Sequence, residues 1–267
     1  MTTDKQIISI DEKSVSITLF IPLCPKASET KRKNPLIIDN KAVEIIDKLD
    51  FDTKPYLQKR AYHSAIVRTY LIDNGVKKFI QENPTCVIIN LGCGLDTRIS
   101  RVDNGQLKWF DLDLPEVIEL RKKFFKENDR IKFIAKSVTD YSWFDDIKIL
   151  DNEKVLIIAE GLFPYFQESQ IKMIFHNLIN SFPDSEMYLT VLHKFLIGKE
   201  ITKGTVFSWG IEDAIEIEKI DNRIELLETW RSSDFFKKRQ PLITIILRLI
   251  TPAGKNMNRV LHIKLGK

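Results

Sequence analysis

Val87-Ile88-Ile89-Asn90-Leu91-Gly92-Cys93-Gly94-Leu95-Asp96-Thr97-Arg98 is the stretch whose reading decides the fold. An apolar run ends in a Gly-x-Gly turn, and a polar, chargeable segment follows. A buried parallel strand reads this way when its carboxyl end delivers a ligand to a tight loop. Downstream, Trp109-Phe110-Asp111-Leu112-Asp113-Leu114-Pro115 reads as a second strand that ends in an acid. It lies about 20 residues beyond the glycines, the spacing at which a carboxylate can accept hydrogen bonds from ribose hydroxyls. The pair of strand ends points to an adenosine-containing cofactor.

Working outward from these strands, the chain alternates β and α patterns. Strands are predicted over 85–91, 108–113, 131–137, 154–160 and 186–195, and helices over 97–102, 115–127, 142–149 and 168–182. This alternation implies a doubly wound α/β fold, a mostly parallel sheet with helices on both faces. The strand-like runs 242–250 and 259–265 are joined by Pro252-Ala253-Gly254-Lys255-Asn256 with no intervening helix, and they predict an antiparallel hairpin at the C-terminal sheet edge. Before the first strand, Pro22, Pro25 and Pro35 punctuate a capping segment, and Asp39 precedes a helix containing Ala42, Val43, Ile45 and Ile46. A longer helix is expected from Pro55 to Ile72, ended by Asn74-Gly75. The expectation is one domain over 1–267: an N-terminal helical cap over 1–83 and a cofactor-binding core over 84–267, with an inserted acceptor-site segment at about 196–235.

Composition narrows the function classes. The chain has 267 residues, 43% of them hydrophobic, enough for one large core. Lys and Arg number 41 against 37 acids, a net charge of only +4 that argues against a nucleic-acid partner. Cys24, Cys86 and Cys93 lack metal-ligand spacing and fit free thiols in a reducing compartment. No apolar stretch reaches membrane-spanning length, and Asp4, Lys5, Asp11 and Glu12 interrupt any signal-peptide pattern. These features predict a cytoplasmic protein with no metal and no membrane partner.

Several ordered blocks resemble the leucine carboxyl methyltransferases and their bacterial small-molecule O-methyltransferase relatives. Asn90-Leu91-Gly92-Cys93-Gly94-Leu95-Asp96-Thr97 is similar to the family's Gly-rich signature, and Asp111-Leu112-Asp113-Leu114-Pro115 to its second strand end. Ala159-Glu160-Gly161 resembles the block after the fourth strand, Arg68-Thr69-Tyr70 with Asp73 the helix before the first, and Phe207-Ser208-Trp209-Gly210 the Trp-Gly segment. The resemblance implies a class I methyltransferase fold, whose doubly wound sheet finishes with an antiparallel strand. It implies S-adenosyl-L-methionine as cofactor, methyl transfer to a carboxylate or hydroxyl of a small-molecule acceptor, and cofactor contacts at Arg68, Gly92, Cys93, Gly94, Asp113, Leu114, Ser137, Val138 and Glu160.

Each of these positions has a chemical reason and a structural alternative. Gly92 and Gly94 let backbone approach a ligand where a Cβ would clash, or simply make a tight turn. Asp113 can hold the ribose diol or favour the N-terminus of the next helix; Asp111 is its rival for the ribose. Arg68, in an apolar helix, needs a carboxylate partner, either the cofactor's or one in the protein. Under the resemblance, Ser137 and Val138 meet adenine. Glu160 meets the cofactor ammonium or orders the site, and in either case needs a partner, because an unpaired buried acid is costly. Thr97 stands where a dinucleotide pattern has glycine or alanine, which counts against NAD. No catalytic base is assigned: a carboxylate acceptor needs none, and His193 and Tyr165 are site-wall candidates, His193 reading more readily as a hydrogen-bonded strand end. Trp209, Phe207 and Tyr165 line an acceptor pocket or belong to the core.

Overall fold

The computed structural model describes residues 17–50, 52–57, 59–202, 205–240, 242, 245–246, 250 and 257–266. Nine strands follow in chain order: β1 (Val87–Leu91), β2 (Lys108–Asp113), β3 (Ile131–Ala135), β4 (Val155–Ala159), β5 (Glu186–Leu192), β6 (Glu200–Thr202), β7 (Thr205–Val206), β8 (Ile224–Arg231) and β9 (Asn258–Leu265). The helices are α1 (Phe20–Thr30), α2 (Asn40–Asp47), α3 (Lys59–Glu82), α4 (Ile99–Val102), α5 (Pro115–Lys122) and α6 (Glu168–Ser181).

Seven strands form one sheet in the order β3-β2-β1-β4-β5-β9-β8. β1 to β5 run parallel, and β9 is antiparallel to both β5 and β8. The chain order reverses between β1 and β4, and ligands of open α/β sheets sit outside the strand ends at such a point. β1 is apolar on both sides because both sheet faces are covered. Val87, Ile89 and Leu91 pack with Ile171, Phe175 and Leu178 of α6, whereas Ile88 packs with Val67, Leu71 and Val76 of α3. A third cluster joins Phe20, Leu23 and Ala27 of α1 and Ile45 of α2 to Leu95, Leu120 and Phe124, so the N-terminal helices rest on the loop after β1.

Three expectations are corrected. β9 pairs antiparallel with β5 and β8 and not with 242–250, of which the described residues Leu242, Ile245, Ile246 and Ile250 are helical. A continuous apolar run does not by itself distinguish strand from helix. α3 does not stop at Asn74-Gly75 but runs to Glu82. Gly75 is there for packing: an added Cβ would lie 2.5 Å from the Tyr188 ring. In place of a helix over 142–149 there is a short 3-10 turn, Tyr141–Asp146, capped by Asp140 and burying Trp143. Within the segment punctuated by Pro22 and Pro25, where a helical cap was expected, Phe20–Thr30 form α1. Among the described residues no helix is long and apolar enough to cross a membrane, and no group of His, Cys, Asp and Glu could hold a metal ion.

Candidate active site

β1 ends in a loop only glycine makes cheaply. Gly92 and Gly94 have φ of +62° and +49°, and a Cβ on them would come within 2.7 Å of Leu162 and 2.9 Å of Leu19. Asp113, at the end of β2, accepts from Gly94 N–H at 2.7 Å and from Leu114 N–H at 2.8 Å. Burial raises its pKa, and those two N–H donors oppose the rise.

Asp111 lies deeper and is wholly used by the protein. It accepts from Asn90 Nδ2, Trp109 Nε1 and Arg121 Nε, each at 2.9 Å, and both Asp111 and Arg121 are fully buried. Arg121 also donates to the carbonyls of Gly94 at 3.1 Å and Asp96 at 2.7 Å. Asp111 therefore acts through Arg121 to brace the Gly-rich loop from below, which separates its role from that of Asp113.

A charged lattice stands beside the loop. Arg98, fully buried, donates to Asp73 at 2.8 Å, Asp96 at 2.6 Å and Glu160 at 2.5 Å. Glu160 also takes Arg68 Nε at 2.7 Å, and Lys26 reaches Asp96 at 3.1 Å. Arg101 ties Asp73 to Asp39, both at 2.6 Å, and Thr97 donates to Asp39. Lys26, Arg68, Arg98 and Arg101 thus balance Asp39, Asp73, Asp96 and Glu160 one for one. Burial alone would raise the Asp96 carboxyl, but the Arg98 and Lys26 charges outweigh it and hold the acid well below its usual range. Glu160 is likewise lowered, the charges of Arg68 and Arg98 overcoming burial. Glu160 therefore has the partners its burial demands.

Arg68, Gly92, Cys93, Gly94, Asp113, Leu114, Ser137, Val138 and Glu160 all line one cavity of about 960 Å³. Lys26 and Asp96 line it too. Arg98, which orders that wall, was not singled out from the sequence, because two of its three carboxylate partners lie 25 and 62 residues away. Ser137 Oγ sits 2.8 Å from Thr139 Oγ1 and takes the Thr139 N–H. Tyr165 and Phe207 both line the cavity and pack edge-to-face, ring centroids 5.5 Å apart, whereas Trp209 is core, edge-on to Phe163. His193 is the structural strand end: Nδ1 accepts from Phe195 N–H at 3.1 Å.

Gly210 closes the Trp-Gly segment onto the end of β5. A Cβ there would lie 2.6 Å from the Leu192 carbonyl oxygen, a backbone atom that cannot swing aside. Gly210→Ala is therefore expected to lower stability by about 1–3 kcal/mol, the cost of overpacking. Urea unfolding checks this, and an unchanged midpoint would mean that the contact is not tight.

The comparisons agree with this geometry. Residues 23–179 match the model of the leucine carboxyl methyltransferase family. The tetracenomycin polyketide synthesis O-methyltransferase TcmP of Streptomyces glaucescens is 28% identical over 225 residues, covering 81% of this chain and 83% of that protein. The S-adenosyl-L-methionine-dependent methyltransferase dpfgK of Gibberella zeae is 26% identical over 229 residues, covering 75% and 76%. A solved structure of a suspected methyltransferase from Thermobifida fusca superposes with a TM-score of 0.59 at 16% identity, over 92% of this chain and 94% of that one, a likeness of fold. The sheet order, the Gly-rich loop and the family match together place this chain in the leucine carboxyl methyltransferase family, as a class I methyltransferase that uses S-adenosyl-L-methionine.

Proposed function

We propose that the cavity binds S-adenosyl-L-methionine beside a small-molecule acceptor and that the enzyme transfers the methyl group to an oxygen of that acceptor. The observation that carries this reading is the convergence of nine expected positions, from five separate chain segments, on one cavity of about 960 Å³. That volume is at the upper end of ligand sites, room for a cofactor and a second molecule.

The residues present fit the cofactor. Asp113 keeps lone pairs beyond its two backbone bonds for a ribose diol. The Gly92–Gly94 backbone is bare of side chains where a ligand must approach closely. Arg68 uses Nε on Glu160 and has no other hydrogen-bond partner among the described residues, so its two terminal amino groups form a planar fork for a carboxylate. Glu160, held ionised, suits an ammonium. Ser137 and Val138 form the wall proposed for adenine. Once bound, the sulfonium supplies an electrophilic methyl group; the protein's task is to align the acceptor and exclude water.

The rest of the lining is mostly apolar: Ile21, Leu162, Pro164, Tyr165, Leu192 and Phe207. That half favours a flat, largely hydrophobic acceptor. The Streptomyces relative, whose name places it in polyketide synthesis, is consistent with such a class.

S-adenosylhomocysteine is expected to raise the melting temperature, because a ligand selective for the folded state stabilises it by mass action, and NAD is not. Arg68→Lys should lose about tenfold or more in S-adenosylhomocysteine affinity, since lysine offers no planar fork. Binding of 5'-methylthioadenosine, which has no amino-acid carboxylate, should hardly change. Equal weakening of both ligands would confine Arg68 to holding Glu160, and stabilisation by NAD alone would overturn the cofactor site.

A further inference from the structure

β4 and β5 pair only as far as Ala159, which lies opposite Leu189. Beyond that point the chain leaves the ladder. Gly161 turns with φ of +74°, and its N–H is no longer part of the strand pairing. Thr190 on β5 supplies the missing partner: its Oγ1 accepts the Gly161 N–H at 2.7 Å. Both residues belong to the cavity wall, and Thr190 is 2% exposed. A backbone donor left without a partner at such a point is costly, and a side-chain oxygen from the neighbouring strand removes that cost.

The bond holds the turn Glu160-Gly161-Leu162, and both neighbours of Gly161 face the site. Ile158 and Tyr188 pack on the α3 side of the sheet. Strand alternation puts Glu160 and Thr190, each two residues on, toward that same side. There Glu160 takes Arg68 Nε at 2.7 Å and Arg98 at 2.5 Å. Leu162 packs against the Gly-rich loop, its side chain 2.7 Å from where a Cβ on Gly92 would stand. A Cβ on Gly161 itself would meet only Arg68 Nη2, at 4.0 Å, so the turn borders open space beside the guanidinium.

We propose that Thr190 is a positioning residue for the methyl donor: through the Gly161 N–H it fixes the turn that presents Glu160 to the donor's ammonium and seats Leu162 against Gly92. The proposal rests on the methyltransferase reading of the same cavity. Thr190 has almost no accessible surface, so it acts through Gly161 and not by touching the ligand. Two properties of threonine serve here. The hydroxyl oxygen accepts the bond, and the β-branch restricts χ1, so that the oxygen stays aimed at Gly161. Valine keeps the branch and the shape but not the oxygen; serine keeps the oxygen but not the branch.

The test is calorimetry on the full chain with S-adenosylhomocysteine and with 5'-methylthioadenosine, together with amide hydrogen exchange at Gly161. Thr190→Val should weaken S-adenosylhomocysteine about fivefold, the size of one neutral hydrogen bond. It should leave 5'-methylthioadenosine within about twofold, because that ligand has the ribose and adenine but no ammonium to meet Glu160. Thr190→Ser should restore S-adenosylhomocysteine to within about twofold of the wild-type chain. The Gly161 amide should exchange about tenfold faster in Thr190→Val than in the wild-type chain or Thr190→Ser. Thr190→Ala removes the same oxygen without placing a methyl group against Gly161, and should repeat the valine result should valine prevent folding. A residue that only stabilises the sheet would lower the urea midpoint and weaken both ligands alike. Equal weakening of the two ligands, unchanged S-adenosylhomocysteine affinity without the oxygen, no rescue by serine, or unchanged exchange at Gly161 would overturn the proposal alone. A wild-type chain that does not bind S-adenosylhomocysteine would overturn the cofactor site and the proposal with it.

Discussion

Asp111→Ala is expected to destabilise the protein by about 3–5 kcal/mol, the cost of removing one partner from a buried ion pair. It would strand the Arg121 guanidinium, fully buried, together with the donors Asn90 Nδ2 and Trp109 Nε1. Asp113→Ala, two residues on, should act on a different quantity. It removes two backbone hydrogen bonds at a partly exposed position, a stability loss of about 1–2 kcal/mol, but weakens S-adenosylhomocysteine by about 1.5–3 kcal/mol, roughly 10- to 150-fold. Urea unfolding and calorimetry on both variants separate the two. If Asp111→Ala spared stability and abolished binding, the ribose contact would belong to Asp111.

Arg98→Leu should have an effect of similar size, again about 3–5 kcal/mol. Leucine leaves the four acids Asp39, Asp73, Asp96 and Glu160 with only the three cations Lys26, Arg68 and Arg101 for charge balance. The pH dependence carries the same signature. Asp96 and Glu160 have folded pKa values below their unfolded ones, about 3.9 and 4.3, so their contribution is whole above roughly pH 5 and is lost as pH falls through the lowered values. Asp111 and Asp113 are raised and act with the opposite sign, destabilising as they ionise. In Arg98→Leu the first pair loses its strongest or second attraction while the second pair is untouched. Acidification from pH 5 to pH 3 should therefore cost the variant less than it costs the wild-type chain. Parallel losses in the two proteins would mean that Arg98 does not hold these carboxylates ionised.

Much of the site was legible because its signals are local. The Gly92-Cys93-Gly94 turn follows an apolar strand directly, Asp113 ends the next strand, and Glu160 ends the fourth, so each could be placed from its own neighbourhood. The parallel order of β1 to β5 followed from the alternation of strand and helix in the same way. Local reading failed where a segment's pattern fits two structures. The 242–250 run is apolar but for Thr244 and Arg248, and its described residues are helical, while the strand on the outer side of β9 is Ile224–Arg231, whose Glu and Thr residues gave no clear strand period.

From the sequence came the fold class and, through the family resemblance, the cofactor, because apolar strand runs, a Gly-x-Gly turn and a strand-end acid are properties of consecutive residues. Only the tertiary structure decided which acid braces and which is free, since Asp111 and Asp113 differ only in what packs against them. It alone paired Arg68 and Arg98 with Glu160 across 92 and 62 residues. Charges and lone pairs are satisfied by neighbours in space, and the chain closes those contacts only when the sheet brings its distant segments together.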